Sequence, residues 1–160
     1  MPIWVIDGRR FCLLCEEQMI VKAKIRIESI IENLDSAGLP DGEAEKSVSE
    51  ADGIYHFDDG NAFISFSEED GGKRRTEISL IGGAVTVRRS GAIESEMYFC
   101  EGESHASLYG IPPYRFDVTV NTRRVRVEID NRGGKIDLFY NMNIGGADKS
   151  ARMKIWISQP

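Results

Sequence analysis

At 160 residues and 41% hydrophobic side chains, the chain is sized for one domain that buries a core without disulfide staples. Its 20 basic against 26 acidic residues give a formal charge of -6, which argues against a polyanion as the main partner. No window holds the roughly 18 apolar residues of a membrane span, and the opening Met1 to Arg10 lacks the basic-then-apolar order of a secretory signal, so the expectation is a soluble cytoplasmic protein with no membrane partner, nucleic acid being disfavoured and left only as a third, weaker reading through a local basic stripe.

Residues 1–18 do not share the pattern of the rest and read as an N-terminal extension, either a loose arm or a stretch upstream of a translation start at Met19. Within it, Cys12 and Cys15 are spaced as half of a zinc site or a redox pair. With no second pair, and only His56 and His105 elsewhere, they read as ordinary thiols, and no metal or cofactor is expected. Three cysteines in all fit a reducing compartment.

From Met19 onward apolar and polar residues alternate. Val21, Ala23, Ile25 and Ile27 against Lys22, Lys24, Arg26 and Glu28 form a first strand with one face in a core and one in water. A Gly- and Pro-bearing loop over residues 33–42 leads to a strand over 47–57, in which Gly53 reads as a bend or bulge. Further strands follow at 62–69, 74–81, 84–90, 93–100, 104–109, 114–121, 123–130, 135–143 and 148–158. The turn at Gly82-Gly83 is a two-residue hairpin, because paired glycines accept the positive φ angles it needs. No window has a helical period, and most connections are too short for parallel crossovers. About ten sequential antiparallel strands, each with one apolar face, are expected to close into an up-and-down β-barrel over residues 19–160, since an open sheet that wide exposes its edges.

The segment from Arg89 through Phe99, with Glu101-Gly102, His105 and Tyr109, and the stretches Val120 to Arg124 and Gly133 to Ile136, resembles the YwiB-like proteins, small bacterial barrels of the calycin-like class. The resemblance runs from about Met19 to Ser158. It implies a lipocalin-like up-and-down barrel with an internal cavity, and it implies no reaction. Two features differ: Ile111-Pro112-Pro113-Tyr114 stands where the family tends to carry Thr-Pro-Tyr-Gly, and the Gly-x-Trp start of true lipocalins is absent.

Arg89 shares parity with Val85 and Val87, which points it inward. A guanidinium keeps its charge there, so it needs a carboxylate, backbone carbonyls or an anionic ligand. A structural ion pair at the barrel rim and a slip of parity at Ser90-Gly91 are the alternatives. His105, Ser107 and Tyr109 share one face of the next strand but one. If that face is internal, the four residues form a ligand site for a carboxylate or phosphate; if external, the three are surface residues. Cys100 and His105 lie close across a turn, yet nothing orients them as a nucleophile and base, so no catalytic residue is assigned and the protein reads as a non-enzyme. Arg123, Arg124 and Arg126 with Lys22, Lys24 and Arg26 form an outer basic stripe of the kind that also protects edges and aids solubility. The leading reading is a barrel that binds a small apolar or anionic molecule. The other is an interaction module that docks a protein on its outer face or rim.

Overall fold

The structure, a computed structural model, describes residues 3–6, 9–12, 20–69 and 72–160. Strands β1 (Ile3–Ile6) and β2 (Arg9–Cys12) form a two-stranded antiparallel sheet of their own. Cys15 and Met19, on which the metal-pair and translation-start readings rest, lie outside the described residues.

The remaining strands are β3 (Ile20–Asn33), β4 (Glu45–Asp58), β5 (Asn61–Glu68), β6 (Arg74–Ile81), β7 (Ala84–Gly91), β8 (Glu94–Phe99), β9 (Ser104–Ile111), β10 (Tyr114–Asp130), β11 (Gly133–Ile144) and β12 (Ala147–Ser158). Each pairs antiparallel with the next, and β12 returns to β3 over a ladder from Lys149↔Asn33 to Ser158↔Lys24. The result is a closed barrel of ten strands, the up-and-down architecture that the alternation predicts. The glycine hairpin forms as expected, with Gly82 and Gly83 at φ of 59° and 83° and Ile81 opposite Ala84.

Two local readings change. Residues 114–130 make one strand and not two, because the Asn121-Thr122 step is a β-bulge between Thr122 and Arg124 that the ladder to β11 absorbs. The first strand runs to Asn33, where the expected loop begins, and that loop is pinned by a bridge between Leu34 and Pro40. Gly53 makes no bulge: β4 keeps continuous register with β3 there, while its pairing with β5 begins at Gly53↔Phe66. Residues 45–52 of β4 therefore run on without a β5 partner.

The lumen is filled through its middle. Ile78, Val85, Phe99, Val120, Ile136, Leu138 and Ile155 have essentially no solvent-exposed surface and belong to one continuous core. One end is stitched across by the Tyr55 hydroxyl, which donates to the Asp130 carbonyl at 2.6 Å, joining β4 to β10 over the barrel floor. Burial raises the Tyr55 phenol well above its ordinary value, so the donor proton stays in place. On the outer wall, Arg152 clamps Asp137 with two hydrogen bonds of 3.1 and 2.9 Å, and this holds the nearly buried carboxyl below the usual carboxylate range.

A Cβ at Gly53 would stand 2.3 Å from the Ser65 carbonyl oxygen and 2.8 Å from Phe66 Cβ. Gly53→Ala is expected to destabilise by about 1–3 kcal/mol, read as a lower urea midpoint. Because the Asp137 carboxyl is depressed in the folded state, its stabilisation is present above the ordinary carboxylate pKa of roughly 4 and disappears as pH falls through the folded value. Asp137→Asn should cost about 1 kcal/mol at neutral pH and flatten that acid limb, measured by urea denaturation at a series of pH values.

Candidate functional site

Opposite the Tyr55 end, the barrel opens into a polar mouth of about 270 Å³, lined among others by Ser29, Ser49, Glu68, Arg74, Thr76, Arg89 and Tyr109. Two things keep it open. Strand β4 overhangs without a β5 partner beyond Gly53, and β8 meets β9 only at Glu94↔Gly110 and Ser95↔Tyr109. Past those two pairs the facing edges of Glu96–Phe99 and the first half of β9 share no ladder, leaving a seam in the wall. A cleft of about 530 Å³ lies along this seam, with Arg89, Ser95, Ser107 and Tyr109 at its base and Tyr98, Ala106 and Leu108 on its outer lips.

Arg89 sits where mouth and cleft meet. The strand keeps its parity: Arg89 is opposite Thr76 on β6 and Ser95 on β8, both buried, in line with buried Val85 and Val87. Among the described residues, no carboxylate oxygen lies within 4 Å of its guanidinium, and it makes no hydrogen bond. The structural ion pair foreseen at the rim is made instead by its neighbour, Arg74, to Glu68 at 3.0 Å. Burial lowers the Arg89 pKa, opposed by Tyr140, Tyr109 and Glu68 and reinforced by Arg74, yet a guanidinium stays charged at any physiological pH. Tyr140, on β11 across the lumen, has its phenol pushed up to about 12 by burial, with Arg89 pulling the other way. It is therefore a neutral hydroxyl. Beside Arg89, the Ser95 Oγ is buried and has no partner, as is the Thr122 Oγ1. A positive charge without a counter-ion and a hydroxyl without a partner occupy facing positions. That combination suits an anion with acceptor oxygens.

Of the four residues singled out in the sequence, the structure brings three to this cleft: Arg89, Ser107 and Tyr109. His105 shares the inward side of β9, opposite buried Val120, but its ring is turned to other partners. Its Nε2 lies 3.1 Å from Glu103 Oε1, and its ring meets Tyr98 edge-on at 4.6 Å. Cys100 also hydrogen-bonds to Glu103, and that bond, with burial, raises the thiol above its ordinary value. A raised pKa keeps sulfur protonated, the reverse of what a nucleophile requires. The basic stripe is split in two, since β10 and β3 are separated by β11 and β12, and Arg26 is engaged by Glu28 at 3.2 Å and Glu50 at 3.5 Å. Ser95 and Glu68 escaped sequence reading. Parity places Ser95 inward only once register makes it the partner of Arg89.

Comparison with known proteins fits this architecture. A family model described as a domain of unknown function, DUF1934, matches residues 33–157, most of the chain. The chain belongs to the DUF1934 family. The uncharacterized beta-barrel protein YwiB of Bacillus subtilis (strain 168) is 27% identical over 122 residues, covering 76% of this chain and 81% of YwiB. The crystal structure of the B. subtilis YwiB protein matches with a TM-score of 0.75 at 25% identity, covering 88% of this chain and 93% of that one. The YwiB-like resemblance carried by residues 89–109 is thus borne out for family and fold. Membership in DUF1934 brings no ligand or reaction with it, so the chemistry of the site rests on its own residues.

An unpaired charge in a half-buried wall opposes folding. Arg89→Met is accordingly expected to stabilise the protein by about 1 kcal/mol or more, seen as a higher urea midpoint with unchanged slope.

Proposed function

We propose that this DUF1934 protein is a cytoplasmic binding protein without enzymatic activity, holding a small molecule by its anionic group at Arg89. The observation that carries this reading is the inward guanidinium with no carboxylate partner, facing the unpartnered Ser95 hydroxyl. A fold does not keep such a destabilising charge for packing, and phosphate or carboxylate oxygens would satisfy guanidinium and hydroxyl together. The filled lumen moves the site away from the barrel interior: an occupant must sit at the mouth and wall seam, where Ser107 and Tyr109 add hydroxyls. Binding is favoured over catalysis because Cys100 and His105 are both tied to Glu103. The odd cysteine count and the free Cys100 support a reducing, cytoplasmic setting.

Titration of the full chain with inorganic phosphate, followed by NMR, tests the reading. Shifts are expected at the Ser95 and Tyr109 amides and at the Arg89 side chain, with at least about a tenfold loss of affinity in Arg89→Gln. Phosphate affinity that is the same in Arg89→Gln as in the natural protein would refute it.

A further inference from the structure

We infer that the occupant of this site is a single-chain amphiphile, an alkyl or acyl chain ending in a phosphate or carboxylate, whose head meets Arg89 and whose chain lies outside the lumen along the β8–β9 seam. The inference rests on the reading of Arg89 as an anion anchor and adds what the rest of the ligand must be.

Three observations carry it. First, the seam is a passage through the wall: its base is formed by the inward residues Arg89, Ser95 and Tyr109, and its lips by the outward residues Tyr98, Ala106 and Leu108. A molecule held at Arg89 is thereby continuous with the outer surface. Second, the exposed apolar residues gather there. Of the eight large hydrophobic side chains left exposed among the described residues, Tyr98 and Leu108 line the cleft, and Ile111, Tyr114 and Phe116 stand on the β9–β10 hairpin past the last β8–β9 pair, with the parity of Tyr109. Leu108 is 55% and Tyr114 67% exposed, a concentration on one hairpin that barrel packing does not call for. Third, the core leaves an apolar chain little room inside, since Ile78, Val85, Phe99, Val120, Ile136, Leu138 and Ile155 fill the middle of the lumen with no accessible surface of their own. A compact anion would use Arg89 and the hydroxyls and leave the apolar lips unexplained; an uncharged chain would leave Arg89 unexplained.

Charge on the rim is balanced in a way that favours the head at depth. Glu96 is bound by Arg88 at 3.3 Å, and Glu94 at the rim would repel an anion left outside. The volume of about 530 Å³ is that of a small-ligand site.

The test compares four probes on the full chain by calorimetry, below the concentrations at which they form micelles: inorganic phosphate, decyl phosphate, decanoate and decanol. A buried methylene is worth roughly fourfold in affinity, so decyl phosphate or decanoate should bind at least about 100-fold more tightly than inorganic phosphate, with decanol far weaker. Arg89→Gln should reduce binding of the charged chains at least tenfold. Leu108→Ser, at an exposed position that leaves the fold intact, should weaken the charged chains while leaving inorganic phosphate unchanged. Equal affinity for phosphate and decyl phosphate, both lost in Arg89→Gln, would overturn the amphiphile and leave the anion site standing. Chain binding indifferent to both substitutions would be surfactant adsorption and would overturn it as well. Binding only to vesicles containing phosphatidic acid, and not to dispersed decyl phosphate, would assign the seam to a membrane surface and overturn a free ligand. No binding of any anion would bring down the anion site together with the amphiphile.

Discussion

The ladder between β12 and β3 is the constraint from which the rest of the molecule follows. Ten paired positions tie the end of the chain to its first barrel strand, so the sheet has no free edge at that point and one set of side chains is sealed inside. Closure with ten strands sets a lumen that ordinary core residues can fill, and here Ile, Leu, Val, Phe and Tyr fill it. Once the interior is committed to packing, any polar function must sit at an end or in the wall. It is in the wall that the ladder is incomplete.

Arg89 draws its character from that geometry. Its parity is fixed by Val85 and Val87, which the core cannot surrender, so the last inward side chain of β7 before Gly91 is an arginine held in place by the burial of its own strand. The neighbouring Arg74 has taken the nearby Glu68, and Tyr140 is kept neutral by its burial. Among the described residues Arg89 makes no ion pair, and it lies beside the stretch of wall where β8 and β9 part. The raised thiol of Cys100 and the Glu103-bound His105 complete a site suited to holding rather than transforming.

Much of this was legible in the residues. Alternation located every barrel strand, because a strand with one wet face writes its period directly into the sequence. The Gly82-Gly83 hairpin was legible through backbone freedom, and the inward Arg89 through parity. The bulge between Thr122 and Arg124 was not, since Asn-Thr looks like a turn and only pairing with β11 shows the strand continuing. On β5 the alternation misleads: Phe63 and Ser65 are buried as fully as Ile64 and Phe66, so neither set marks a wet side. Proximity across the lumen was also out of reach. That Tyr140 approaches Arg89, or that Arg74 claims Glu68, depends on closure and on rotamers, which no periodicity encodes. His105 shows the limit of parity, which gives the side of a strand and not the partner a ring turns to.

The strap from Tyr55 to Asp130 gives the barrel two unlike ends. At that floor, strands that are not neighbours are tied together, and the ladders alongside run to completion. At the far end the β4–β5 ladder stops early, and below the two mouth-side pairs β8 and β9 part. Local opening is expected first along that unpaired stretch of wall, where no ladder holds β8 to β9. A base tied across the floor and a wall with an unpaired stretch give local opening a place to occur without loss of the global fold.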